Sequence, residues 1–170
     1  MNHNKSRRIG ILLADLGKLN LKALKFLVLH LNRLQQTFEY EILPVDDDDE
    51  FMKQLSPQRM VDREKVENSV SAFLKRHKTF LKEEMMGYEI HDTALPNHFI
   101  LVTMACFEDK YYSTRQGNLS ILALGNWKHS MAPPSIIEFI LALIVREAIS
   151  SACPSLSDSV HLGTRGCICD

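Results

Sequence analysis

Hydrophobic positions along this chain switch between two periods. Ile9 to Ala14 is a short continuous apolar run, β-branched at Ile9 and Ile11 and closed by Asp15, the pattern of a strand buried on both faces. From Leu21 the period lengthens. Leu21, Leu24, Leu27, Val28, Leu31, Leu34 and Phe38 recur at helical spacing behind Asn20, a cap residue, while Lys22, Lys25, Arg33 and Gln36 fall off that stripe. Glu39 to Val45 then alternates as a second strand. Strand, helix and strand with short joins predict a βαβ unit, hence parallel pairing and a right-handed crossover.

The next stretch, 46–56, carries Asp46 to Asp49 and Glu50 and reads as an acidic, exposed connection. Ser56-Pro57 reads as a cap followed by proline at a first helical position. That helix is expected to break near Asp62, continue to Met86 and close at Gly87. Val66, Val70, Phe73, Leu74, Phe80, Leu81 and Met85 form its inner stripe, with His77 on the same face. Phe99 to Ala105 and Leu119 to Leu124 are further buried strands, separated by a polar segment, Glu108 to Asn118, expected to be a loop or flap. Ser135-Ile136-Ile137-Glu138 is a capping box. The helix it opens, 136–152, is apolar on nearly every side before Arg146 and Glu147, so near-complete burial is expected.

These elements predict an α/β fold: a single three-layer domain over residues 1–170, with about four mostly parallel strands and a flexible N-terminus at 1–8. Gly166-Cys167-Ile168-Cys169-Asp170 resembles the start of an element, so the chain is expected to stop early relative to its full architecture.

Composition fits a globular chain, with 170 residues, 45% apolar and 24% charged. Lys plus Arg total 20 against 21 for Asp plus Glu, a formal net charge of −1. No basic excess points to nucleic acid as a partner. The run from Ile9 is too short for a secretory signal, and Ile136 to Val145 falls well below the roughly 20 residues a bilayer needs. A cytoplasmic location with reduced thiols and no membrane partner is the resulting expectation.

Candidate chemistry gathers in three places. His161, Cys167 and Cys169, with Cys153 upstream, offer the soft ligands zinc prefers, although C-x-C is not the usual knuckle spacing. Thr164 and Arg165, between Gly163 and Gly166, make a turn suited to a phosphate or carboxylate. In open parallel sheets, ligands bind beyond the carboxyl ends of the strands. There His129 is the acid–base candidate, with Asp15 or Asp109 to orient it and the helix N-terminus at Ser135 as an anion seat. Glu147 is a further carboxylate candidate, for which a salt bridge is the expected role.

The order of elements, ending in a cysteine-bearing tail, resembles that of archaemetzincin-type zincins. Such enzymes carry H-E-x-x-H on the buried helix. Here that helix reads Ile144-Val145-Arg146-Glu147-Ala148-Ile149-Ser150, with no flanking histidine. The resemblance therefore implies a related scaffold but carries over no catalytic residue. The leading expectation is a binding or regulatory module that joins a protein partner or a second copy of itself. The alternatives are a hydrolase centred on His129 and a structural zinc domain built on His161, Cys167 and Cys169.

Overall fold

The structure, a computed structural model, describes residues 6–90, 94–127 and 135–153. The chain divides into two compact units, Met1–Asn126 and Trp127–Asp170. The first holds β1 (Arg7–Leu13), α1 (Leu21–Leu34), β2 (Phe38–Leu43), α2 (Glu50–Gln54), β3 (Met60–Val61), α3 (Arg63–Gly87), β4 (His98–Thr103), β5 (Cys106–Phe107), β6 (Ser113–Gln116) and β7 (Leu119–Ala123). The second holds α4 (Ile136–Ala152).

Five strands form a mixed sheet in the order β2-β1-β4-β7-β6. All neighbours run parallel except β6, which returns antiparallel along β7. The chain steps from β1 to β2 in one direction and from β2 to β4 in the other. Right-handed crossovers therefore place α1 and α3 on opposite faces, the arrangement of a doubly wound sheet. The α/β reading, mostly parallel, holds.

The core of the first unit lies between α3 and the sheet. Val66, Val70, Phe73 and Leu81 of α3 meet Leu12, Phe99, Leu101, Leu119 and Ile121 in one buried cluster. Phe73 stacks on Phe51 of α2 at 4.4 Å between centroids. His77 stacks on Phe73 and Phe80 and meets Phe99 edge-on.

Several boundaries differ from the sequence pattern: α1 ends at Leu34, and Phe38, expected on its stripe, opens β2 instead. Arg7 and Arg8, expected in the N-terminal tail, open β1, and Arg8 forms a two-pronged ion pair with Glu41 of β2. The 46–56 segment is more than an exposed connection. Asp49 caps α2, accepts two hydrogen bonds from Arg76 of α3, and delivers Phe51, Met52 and Leu55 to the core. Ser56-Pro57 makes a turn closed by Arg59 N–H on the Ser56 carbonyl, with Gln58 at φ 61°. Proline suits the second position of such a turn as well as a first helical position, so the dipeptide alone did not decide. Asp62, the expected break, is instead the cap of α3.

The polar 108–118 segment is likewise not a plain loop, because β6 pairs with β7 across the two-residue connection Gly117-Asn118. Gly117 takes φ +56°, which glycine tolerates without strain. In α4, full burial is confined to Ile140, Leu143, Ile144, Glu147 and Ala148. An apolar composition all round did not bury every side; the helix presents one inner stripe at the usual spacing.

The free edge of β2 is covered by side chains. Asn32 donates to the Tyr40 carbonyl at 2.9 Å and accepts from the Tyr40 N–H at 2.8 Å, while Gln35 does the same for Phe38. Two amides, Asn32 in α1 and Gln35 at its C-terminal cap, thus take the place of a neighbouring strand. Asn32→Leu, which keeps the branching of the side chain but orphans both Tyr40 groups, is expected to cost about 2 kcal/mol in urea unfolding.

Candidate functional site

Parallel strands of opposite winding leave a crevice at their carboxyl ends, here between β1 and β4. In this protein the chain covers the β4 side of that crevice with its own residues. The Thr103 hydroxyl at the end of β4 donates to the Leu55 carbonyl and accepts from Ala105 N–H at 3.1 Å. Gln58 N–H reaches the Met104 carbonyl at 2.8 Å. β3 then pairs with β5, adding Cys106 N–H to the Arg59 carbonyl at 2.8 Å and Glu108 N–H to the Val61 carbonyl at 3.1 Å.

Residues 55–61 are thereby stitched across the end of β4, along its continuation to Glu108. Gly125 closes the same region from β7. A Cβ there would stand 2.4 Å from both Cys106 Sγ and the Met104 carbonyl oxygen, so only glycine fits. The remaining space is a cleft of about 560 Å³ beside the ends of β1 and β2, lined by residues that include Asp15, Asp47, Lys53, Ser56 and Met52.

The sequence candidates do not converge on one point in this unit. Asp15 accepts the Gly17 N–H at 2.8 Å, shaping the turn after β1. Asp109 pairs with Arg63 at 2.8 Å and accepts the Tyr111 N–H, while the Arg63 guanidinium lies 5.1 Å from the Tyr111 ring centre. In the second unit, Ser135 caps α4 by accepting the Glu138 N–H at 3.2 Å, and its hydroxyl donates to the Glu138 carboxylate at 2.9 Å. A carboxylate of the helix itself therefore faces the Ser135 hydroxyl. Glu147 is buried in the same helix, and Cys153 is exposed at its C-terminal cap. Among the described residues, no three His, Cys, Asp or Glu side chains group to hold a metal. His129, His161, Thr164, Arg165, Cys167 and Cys169 lie outside the described residues.

Sequence reading passed over a buried polar pair. His98, the first residue of β4, places Nε2 2.9 Å from the Ser120 hydroxyl of β7. Ser120 is wholly buried, so no substrate reaches this serine and histidine. Each supplies the hydrogen bond the other needs inside the sheet. Nothing in the sequence marks the pair, because its members come together only through the β4–β7 register.

His77 has less support, since its buried Nε2 finds no hydrogen-bond partner among the described residues. Burial lowers the pKa of both histidines to about 4. For His77 the carboxylates of Asp49 and Asp46 oppose that shift; for His98 the charge of Arg115 adds to it.

Comparison with protein-family models, curated proteins and solved structures gives no match. No helix among the described residues is long and apolar enough to cross a membrane.

Two predictions follow from these buried groups. Both histidines have folded pKa values below the unfolded value of 6.5, so their contribution is complete above pH 6.5 and is lost as pH falls toward 4. Each is linked to on the order of 3 kcal/mol over that window. Urea midpoints measured across it should fall steadily. His77→Phe should raise the midpoint at pH 7 by about 1 kcal/mol of stability and reduce the acid slope by roughly half. At the end of the sheet, Thr103→Val removes the bond to Leu55 and should cost about 1–2 kcal/mol. Amide exchange should then quicken at Gln58 and Arg59 before the strands respond.

Proposed function

We propose that this protein is a binding module that works through the outer face of α1, not through chemistry at the end of its sheet. One observation carries this reading. The inner side of α1 is fully used, with Leu24 and Val28 completely buried, yet its outer side leaves Phe26 at 66% and Leu29 at 49% exposure, and Leu34 at the helix's C-terminal end is 68% exposed. Scattered apolar residues on a surface are ordinary, but a set sharing one short helix marks a place of contact. The β4 side of the sheet's crevice supports the same conclusion, because residues 55–61 are bonded across the end of that strand and leave open only the cleft beside the ends of β1 and β2.

A partner for this face must present apolar groups together with negative charge. Lys18, Lys22, Lys25 and Arg33 surround the apolar positions, and no carboxylate occurs between Asp15 and Glu39. Such a face favours capture of a complementary surface and provides no nucleophile. A cytoplasmic module completed by another component is the cellular setting this reading implies.

Anilinonaphthalene sulfonate, an apolar dye with one negative charge, is a direct probe of this chemistry. The native protein at pH 7 should enhance its fluorescence, and Phe26→Ser with Leu29→Ser should remove most of that signal. Far-UV circular dichroism and the unfolding midpoint should stay unchanged, since both side chains are exposed. A native protein that leaves the dye dark, or a double variant that binds it equally well, would refute the assignment.

A further inference from the structure

We infer that the outer face of α1 docks on an anionic lipid surface. The inference rests on α1 being the binding face and adds the identity of its partner. Lys22, Phe26, Leu29 and Arg33 fall at positions i, i+4, i+7 and i+11, so they form a single stripe along the helix, opposite Leu24 and Val28. Lys25 stands beside the stripe, and His30 stacks on Phe26 at 5.8 Å. The stripe therefore alternates as cation, aromatic, aliphatic, cation over a helix about 21 Å long.

Charge selects the partner. Among the described residues, Lys18, Lys22, Lys25 and Arg33 have no carboxylate partner, although Arg8, Lys53, Arg63, Lys65 and Arg76 all do. Other cations of the chain also lack an ion-pair partner, but these four stand in a segment with no carboxylate between Asp15 and Glu39, so this helix and its approach turn are positive on a chain whose formal charge is −1. An acidic counter-surface is required. Lysine is depleted at protein–protein interfaces, where ordering its long chain is costly, and three of the four cations here are lysines.

Lipid headgroups suit lysine better, because a fluid layer of anions meets a flexible ammonium without a fixed register. Phe26 and Leu29 then enter the boundary between headgroup and acyl chain. Helix α1 is anchored from behind by its inner stripe and by Asn32 and Gln35 on β2, so it lies as a fixed ridge and needs no folding on contact. Short apolar runs speak only to crossing a bilayer; this stripe concerns its surface.

Co-sedimentation with vesicles tests the inference. At low salt the protein should pellet with phosphatidylcholine vesicles containing phosphatidylglycerol and stay in solution with phosphatidylcholine alone. Lys22→Glu with Lys25→Glu, and separately Phe26→Ser with Leu29→Ser, should each weaken binding roughly tenfold or more while the unfolding midpoint is kept. Absence of binding to the anionic vesicles overturns the inference. So does binding that the Phe26 and Leu29 pair does not affect and that polyglutamate displaces, because the face would then be reading charge on an acidic polypeptide. If the dye binds α1 but the vesicles do not, the binding face stands and only its lipid partner is lost.

Discussion

The first unit depends on the apolar contact between the inner stripe of α3 and one face of the sheet. Phe51, Phe73, His77 and Phe99 run through that contact as a chain of rings, joining α2, α3 and β4. Removal of these faces from water is the main favourable term, and it fixes where α2 lies. The Asp49–Arg76 pair then locks α2 to α3, with the guanidinium holding the Asp49 carboxyl below its ordinary range. Without α2 in place, the residues that follow it could not cross the end of β4.

That crossing decides what the sheet can do. A doubly wound sheet collects ligands where its winding reverses, since loops there diverge and leave space. Here Leu55 to Val61 cover the β4 side of that space and satisfy backbone groups of β4 and its continuation, with Thr103 joining the two. Gln58 holds a left-handed conformation in that segment, a cost on the order of 1 kcal/mol that its bond to Met104 helps offset. The polar groups buried within the sheet serve structure as well. His98 and Ser120 answer one another across β4 and β7, and Glu67 of α3 receives the Thr114 hydroxyl of β6.

Helix α1 has two faces. Its inner residues and two amides complete the sheet, covering one face and the open edge of β2. Its outer residues have no role in that packing, and their mixture of lysine, arginine, phenylalanine and leucine is not that of an ordinary solvated face. The fold presents this stripe on a rigid support. Binding through it would order little of the chain, which favours affinity from a modest surface.

Periodicity alone determined the α/β class, the long elements and the caps at Asn20 and Ser135, because these depend on neighbours within a few residues. The basic, apolar composition of α1 was equally visible, but which of its leucines face water was not. Leu24 and Leu34 look alike in the sequence, and only docking on the sheet buries one and leaves the other exposed. The same holds for β6, whose polar residues carry no strand pattern and gain their partners from β7. Ser56-Pro57 and Asp62 each suit two local structures, and packing of Phe51 and Leu55 selected between them. Tertiary structure alone brought His98 to Ser120, left Nε2 of His77 without a partner and laid residues 55–61 over the crevice. Each of those outcomes depends on contacts between residues far apart in the chain, and local preference carries no information about them.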